Sequence, residues 1–332
     1  MGLKTLLKIL EKNTCKVVIK GDGLRTLRTI LLIASLIFSL SIISCARTES
    51  AAVQKAGQSA VSAKDDYGRE ITLESEPQRI VSFAPSTTEI LFALGLDERI
   101  VGVSSYDNYP PEVLEKEQVG GVIDLNVEKI ISLDPDIAFG IDLSKDKLDQ
   151  IEKNGIKVYI SNPTTLDMTL NNIRIIGMLT GRTEEAEELI KDMQADIEAV
   201  SSKVAGITEE NRPKVFYEVW NEPLMTAGVD TFIHDMITIA GGVNIASIDN
   251  LTGWPEYSME RLIEINPDII IAPKTLAPTP ETITGDDRLS GIKAVLEKKV
   301  FIVEDDLVIR PGPRVVIGLM DLARAIHPEI FK

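Results

Sequence analysis

Cysteine and histidine, which build disulfide frameworks and most transition-metal sites, are scarce in this chain of 332 residues. The two cysteines, Cys15 and Cys45, both precede the predicted globular part, so no disulfide framework is implied. The two histidines are His234, within a helical pattern, and His327, at a helix end, which favours structural roles for both. Capture of zinc or manganese usually requires imidazole ligands, and two histidines so far apart argue against such a site.

Enzyme signatures and an excess of basic residues are also missing. The sequence has no G-x-S-x-G elbow, no Walker loop and no evident nucleophile–base pair. Its 35 Lys and Arg stand against 51 Asp and Glu, a net charge of −16, which argues against a general nucleic-acid surface. We therefore expect no enzyme, no resident cofactor or metal, and no nucleic-acid partner.

The amino terminus joins a basic segment to an apolar run over residues 30–43, the pattern of a signal-peptide core. The run ends in Ser44-Cys45 and resembles the lipobox of bacterial lipoproteins, although Ile43 stands where small residues are commoner. We predict a signal peptide over 1–44, then a lipidated Cys45 opening a flexible tether over 45–65, and hence a lipid-anchored, extracytoplasmic protein. The alternative is an ordinary signal peptide or anchor with an incidental cysteine.

A twelve-residue pattern occurs twice, as NVEKIISLDPDI over 126–137 and as SMERLIEINPDI over 258–269. Each copy has a polar cap, an acid in the first helical turn (Glu128 or Glu260), one apolar face, a proline that ends the helix and an apolar strand. The helix dipole favours an acid in the first turn of each copy, but it does not require that both copies carry glutamate at the same position. The repeat therefore predicts two lobes built on one plan.

Strands alternate with helices and short loops through the rest of the chain, which indicates parallel α/β sheets. We predict an α/β fold with two Rossmann-like lobes, each a parallel sheet with flanking helices, joined by one long rigid helix. The predicted boundaries are an amino-terminal lobe over 66–182, a linking helix over 183–205 and a carboxy-terminal lobe over 206–332. From the residues alone, the long helix is either a domain link or a crossover within one sheet.

Ligands of such sheets gather where loops leave the carboxyl ends of strands. Those loops hold large aromatics, which offer flat contact area with a polar edge, and arginines beside a stiff Pro-Gly-Pro segment, which suit carboxylate, phosphate or amide groups. The alternative is that the aromatics pack between loop and sheet. The candidate ligand-binding residues are Tyr106, Trp220, Trp254, Asp306, Arg310 and Arg314.

Several segments together carry a resemblance to a known family. They are RIVSFAPSTTEILFALGL, RIVGVSSYDNYPPEV, VFYEVWNEPLMTAG, AGGVNI, both copies of the repeat, and IRPGPRVV. In order and spacing they resemble the class III substrate-binding proteins of ABC importers, with the vitamin B12-binding and iron-siderophore-binding members most similar. The resemblance covers nearly all of residues 67–332.

The resemblance implies a monomer that captures a metal chelate in the cleft between the lobes and delivers it to a permease dimer with its ATPase. It places Tyr106, Trp254, Asp306 and Arg310 along a corrinoid cleft, with Trp220 one position away from an expected aromatic. It also makes Glu128 and Glu260 the lobe-tip partners of permease arginines.

The sequence departs from the vitamin B12 members in the loop before the first repeat. That loop reads Gly120-Gly121-Val122-Ile123, where those members can carry a tryptophan. The predicted ligand is a corrinoid such as cobalamin, and the alternative is a ferric siderophore or haem. Two other roles stay open: a sensor subunit that meets a receptor, and an extracellular enzyme that processes a metal chelate.

Overall fold

A computed structural model describes residues 60–121 and 123–332. The predicted signal peptide, Cys45 and most of the predicted tether lie outside these residues. Within the part of the chain described, no helix combines the length and the apolar character needed to cross a bilayer.

The structure begins with an antiparallel hairpin of β1 (Val61–Lys64) and β2 (Glu70–Leu73). This corrects the predicted tether, whose last residues form β1. The Asp65 carboxylate organises the turn by accepting hydrogen bonds from the Arg69 backbone N–H at 2.8 Å and from its guanidinium. Sequence analysis missed β1 because its alternating small and polar residues resemble a solvated linker.

The amino-terminal lobe is a four-stranded parallel sheet in the order β4-β3-β5-β6. Its strands are buried apolar runs, as expected when helices cover both faces of a parallel sheet. The strands are β3 (Ile80–Ser82), β4 (Ile100–Gly102), β5 (Ile137–Gly140) and β6 (Lys157–Ile160). The helices are α1 (Pro85–Ala93), α2 (Val127–Ser132), α3 (Lys145–Glu152) and α4 (Leu166–Thr180).

A long helix, α5 (Thr183–Val204), separates the two sheets in the sequence and ends one residue before the predicted linking helix over 183–205. Its N-cap residue is Arg182, whose side chain makes no capping hydrogen bond. Glu184 and Glu185 in the first turn favour the helix through its dipole.

The carboxy-terminal lobe repeats the plan with a parallel sheet in the order β10-β7-β11-β12. Its strands are β7 (Lys214–Tyr217), β10 (Val243–Asn244), β11 (Ile269–Pro273) and β12 (Val300–Val303). Its helices are α6 (Phe232–Ile239), α7 (Met259–Ile265), α8 (Pro280–Thr284), α9 (Lys293–Leu296), α10 (Asp305–Val308) and α11 (Val315–Ile326). A small antiparallel hairpin of β8 (Trp220–Asn221) and β9 (Leu224–Met225) follows β7.

The two copies of the repeat form the same local structure. The Asn126 side chain accepts a hydrogen bond from the Lys129 N–H at 2.9 Å, and the Ser258 hydroxyl accepts one from the Arg261 N–H at 3.2 Å. The helices α2 and α7 follow these caps, and β5 and β11 begin two residues after the prolines.

The apolar core has three parts, and the central one belongs to both lobes. Its buried side chains come from α1, α4 and α5 and also from β7, α6 and α11, with Ile90, Ile190 and Leu319 as examples. Separate clusters fill the outer face of each sheet, around Ile130 in the first lobe and Leu262 in the second. The predicted α/β fold with two parallel sheets and flanking helices is confirmed, and the two lobes share one apolar cluster.

Candidate functional site

A cavity of about 430 Å³ lies where the two lobes meet, beside the carboxyl ends of the strands. Its amino-terminal wall includes Ser161 and Asn162, just after β6. Its carboxy-terminal wall includes Phe232, Trp254 and Ile309. Because Trp254 is 51% exposed, its indole offers flat apolar area to a ligand in this cleft.

Three of the predicted residues come together beside this cavity. The Arg310 guanidinium contacts the Asp306 carboxylate at 2.7 Å and donates to the Tyr106 carbonyl oxygen at 3.3 Å. It also donates to the Asn108 side-chain oxygen at 2.7 Å. The Asp306 contact depends on the short helix α10, which places Asp306 one turn before Arg310. The sequence predicts a loop at this position.

Both arginines pair with a residue that sequence analysis missed. Glu89 on α1 accepts from Arg314 at 2.6 and 2.8 Å and from Arg310 at 3.2 Å. Its side chain is only 2% exposed, so the ion pairs lie within the contact between the lobes. The hydrogen bonds to Glu89 raise the pKa of Arg314, whose guanidinium also lies 4.0 Å from the centre of the Tyr109 ring. Both guanidinium groups are therefore already paired with carboxylates in this structure, and their role in ligand binding stays a prediction.

One signal in the sequence could have indicated Glu89. It is the only charged residue of the otherwise apolar and hydroxyl-bearing helix PSTTEILFA. A buried charge in such a helix requires a partner. The partner lies more than two hundred residues away in the sequence, where local patterns carry no information about it.

The Pro-Gly-Pro segment between the arginines packs on the start of α1. A Cβ added at Gly312 would lie 3.2 Å from the Ser86 carbonyl oxygen, so the loop approaches the helix closely. On the far side of this loop, Tyr109, Arg314 and Ile317 line a second cavity of about 440 Å³. The loop therefore places Arg310 and Arg314 between these two cavities, at the boundary between the lobes.

Tyr106 is 56% exposed, and its ring packs against Gly121. A Cβ added at Gly121 would lie 2.1 Å from a carbon of that ring, so glycine is required for this position of Tyr106. Gly121, which precedes the first repeat, therefore has a structural use in this chain: it leaves room for the tyrosine ring.

The apolar run over 214–220 is typical of a single strand, but the structure does not continue β7 to Trp220. β7 ends at Tyr217, and Trp220 belongs to the hairpin of β8 and β9, where its indole N–H donates to the Glu222 carbonyl oxygen at 2.9 Å. The hairpin joins the Trp254 loop, since the Thr226 N–H donates to the Pro255 carbonyl oxygen at 3.1 Å. Trp220 is 55% exposed.

Two buried carboxyl groups near the carboxyl ends of strands were also missed. Asp107 accepts from the Ser104 N–H at 2.7 Å and the Thr88 hydroxyl at 3.0 Å through one oxygen, while the other oxygen has no partner. Glu218 follows β7 and is 1% exposed, with one oxygen unpartnered. Burial raises the pKa of both carboxyl groups to about 7.

Glu128 and Glu260 occupy equivalent places in the two lobes, each exposed in the first turn of its helix. The Ser258 hydroxyl donates to the Glu260 carboxylate at 2.7 Å, which lowers the pKa of Glu260. A further cavity, of about 600 Å³, lies at the amino ends of β7 and β11 and includes none of the predicted ligand residues.

Residues 80–307 match the family model of periplasmic binding proteins. The chain belongs to the periplasmic binding protein family. This periplasmic binding protein is 35% identical over 290 residues to YvrC of Bacillus subtilis, named as an uncharacterized ABC transporter substrate-binding lipoprotein, across 86% of this chain and 91% of YvrC. It is 29% identical over 276 residues to a cobalamin-binding protein of Halobacterium salinarum, across 80% of this chain and 74% of that protein.

Among solved structures, the haem-binding protein RhuT of Roseiflexus matches with a TM-score of 0.68 and 27% identity, over 76% of this chain and 98% of RhuT. The periplasmic binding protein described here is thus a class III substrate-binding protein of ABC importers, which confirms the family predicted from sequence. The family is one of transport components and not of enzymes.

Proposed function

We propose that the protein is a lipid-anchored extracytoplasmic receptor that captures a corrinoid and delivers it to an ABC importer. The observation that carries the proposal is the set of large, half-exposed aromatic side chains in segments that follow the sheet strands β4, β7 and β10, namely Tyr106, Trp220 and Trp254. Flat rings of this size suit a flat macrocycle, and the adjacent cavity has room for part of one. The likeness to a cobalamin-binding protein supports a corrinoid.

The delivery step rests on the symmetry of the two lobes. Glu128 and Glu260 occupy equivalent exposed positions in equivalent helices, so a permease dimer with one arginine cluster per subunit would contact both carboxylates. Lipidation at Cys45 would keep the receptor beside that permease. The protein would act as a monomer, because its two lobes already supply both contacts.

Binding experiments test the ligand. Trp220 and Trp254 make intrinsic fluorescence a direct readout, and the full-length protein is titrated with cyanocobalamin, dicyanocobinamide, haem and a ferric siderophore. We expect saturable quenching by the two corrinoids. No response to either corrinoid, together with saturable binding of haem or the siderophore, would overturn the corrinoid assignment.

A ferric siderophore or haem is the second candidate, favoured by the likeness to a haem-binding protein. Purification of the protein from its own host, followed by mass and visible absorption spectra of the bound molecule, separates the two candidates. A corrin spectrum supports the first, and an iron chelate or a Soret band supports the second.

A further inference from the structure

Two carboxylates and two guanidinium groups meet at the boundary between the lobes, and their charges cancel. Glu89 and Asp306 supply the negative charges, and Arg310 and Arg314 supply the positive ones. All four side chains are linked by contacts of 3.2 Å or less. The cluster lies next to Tyr106, whose carbonyl oxygen accepts from Arg310.

Of the four side chains in this cluster, Glu89 is the one that an anionic ligand cannot easily displace. Both of its oxygens are engaged by guanidinium N–H groups, and its side chain is 2% exposed. The Arg310 and Arg314 side chains are only 12% and 19% exposed, so the pairs are largely desolvated. An anionic ligand that sought these arginines would have to compete with a carboxylate already in hydrogen-bonding geometry.

Other cations that follow the strands at this end are paired as well. Lys274, just after β11, contacts Glu304 at 2.5 Å. Arg288 contacts Asp286 at 2.5 Å. Lys274 and Arg288 therefore add no uncompensated positive charge to the edge where the ligand is proposed to bind.

We propose that Glu89 is a specificity-determining residue, which together with Asp306 cancels the charges of Arg310 and Arg314 and so selects metal chelates without net negative charge. Such a chelate is held by aromatic contact and by the remaining guanidinium and amide hydrogen bonds. A polyanionic chelate is rejected because the arginines of this cluster are already paired with Glu89 and Asp306. The inference rests on the proposed function for its location and adds to it the charge class of the ligand.

The test compares a ligand pair that differs in charge, cyanocobalamin and haem, the latter carrying two propionates. The measured quantity is the ratio of the haem affinity to the cyanocobalamin affinity. Glu89→Gln keeps the shape of the side chain and leaves the cluster with one net positive charge, and we expect the ratio to rise at least about tenfold. The gain must shrink as salt rises, because it comes from an added charge.

Glu187→Gln is the matched control, since Glu187 pairs with Arg174 at 2.6 Å on α4 and α5, away from the cleft. A ratio that stays at the wild-type value in Glu89→Gln, or that rises equally in Glu187→Gln, would overturn the proposal. The double variant Glu89→Gln with Arg314→Gln restores neutrality and must return the ratio to the wild-type value. A ratio that remains raised in the double variant also overturns it.

If Glu89→Gln does not fold, Arg314→Gln alone carries the test with the opposite sign. It leaves Glu89 in place and gives the cluster one net negative charge, so the ratio must fall. An unchanged ratio refutes the role of Glu89. These outcomes are distinct from failure of the proposed function: a wild-type protein without corrinoid binding refutes the function, while the haem affinities of the variants still report the effect of the charge.

Discussion

The buried Glu218 makes the stability of this protein depend on pH in a direction opposite to that of most carboxylates. Its side chain is 1% exposed, and one of its oxygens has no hydrogen-bond partner. Its pKa is raised from 4.5 to about 7, mainly by desolvation and to a lesser extent by the nearby Asp286 carboxylate, while Arg288 opposes the rise. Between pH 4.5 and about pH 7, Glu218 holds a proton in the folded state that it has released in the unfolded chain. Stability is therefore greatest below the unfolded pKa and falls as the pH rises through 7.

The magnitude follows from the two pKa values. From about pH 5 to about pH 8, the change from 4.5 to about 7 corresponds to a loss of about 2.5 kcal/mol in the free energy of unfolding. Glu218→Gln replaces the carboxyl group with a neutral group of the same shape and removes this contribution. The variant should therefore gain about 2.5 kcal/mol over the wild type between these pH values. Asp107, whose pKa is also raised, is present in both proteins and cancels in the difference.

The assay is urea denaturation, followed by circular dichroism, across this pH range. Glu297→Gln is the control, because Glu297 is exposed and its pKa is lowered by the hydrogen bond from Lys299. That variant should show no gain in relative stability with rising pH. If the curves for Glu218→Gln and wild type stay parallel from about pH 5 to about pH 8, burial does not hold Glu218 in its neutral form and the reasoning is refuted.

Three further predictions concern docking, the cleft and the repeat. Glu128→Arg with Glu260→Arg should abolish uptake by the reconstituted importer while ligand affinity in solution is retained, because both carboxylates lie on exposed first turns. Gly121→Ala should weaken ligand binding about tenfold in fluorescence titration, because the new methyl group displaces the Tyr106 ring. Ser258→Ala should lower the free energy of unfolding by about 1 kcal/mol in chemical denaturation, because α7 loses its cap.

Each of these predictions has an outcome that contradicts it. Glu209→Arg, a charge reversal at an exposed site after α5, should leave uptake intact, and equal loss in both proteins would remove the case for docking. Gly291→Ala adds a methyl group in open space, so a similar loss of affinity there would mean that the effect is not specific to Tyr106. An unchanged stability of Ser258→Ala would show that the hydroxyl does not support α7.

Part of the fold can be predicted from local sequence patterns. The bounds of α5 follow from a long amphipathic pattern, and the caps at Asn126 and Ser258 follow from polar residues placed before apolar ones. Errors occurred where local pattern and tertiary context disagree. The sequence predicts a tether where β1 forms, because β1 is ordered by its pairing with β2 and not by its composition. Trp220 lies outside β7 because the chain turns there into the hairpin of β8 and β9.

The sequence identifies several residues of the candidate site, but it does not predict all the contacts among them. Loops after the strands identified Tyr106, Asp306 and Arg310, which the structure brings into contact. Local sequence patterns do not identify the two arginines as the partners of Glu89, because that contact forms only when the two lobes meet. The roles of the candidate residues in ligand binding and docking stay predictions until the variants are measured.

The core shared by both lobes has a kinetic consequence for transport. Side chains from α1, α5 and α11 fill one continuous apolar volume, so moving one lobe against the other would expose packed surface. If the cleft binds the ligand as proposed, it is formed before the ligand arrives, and its affinity is not reduced by a rare binding-competent state. Capture should occur in one bimolecular step, with a rate proportional to ligand concentration. Release must then be driven from outside, by contacts that the permease makes with the receptor.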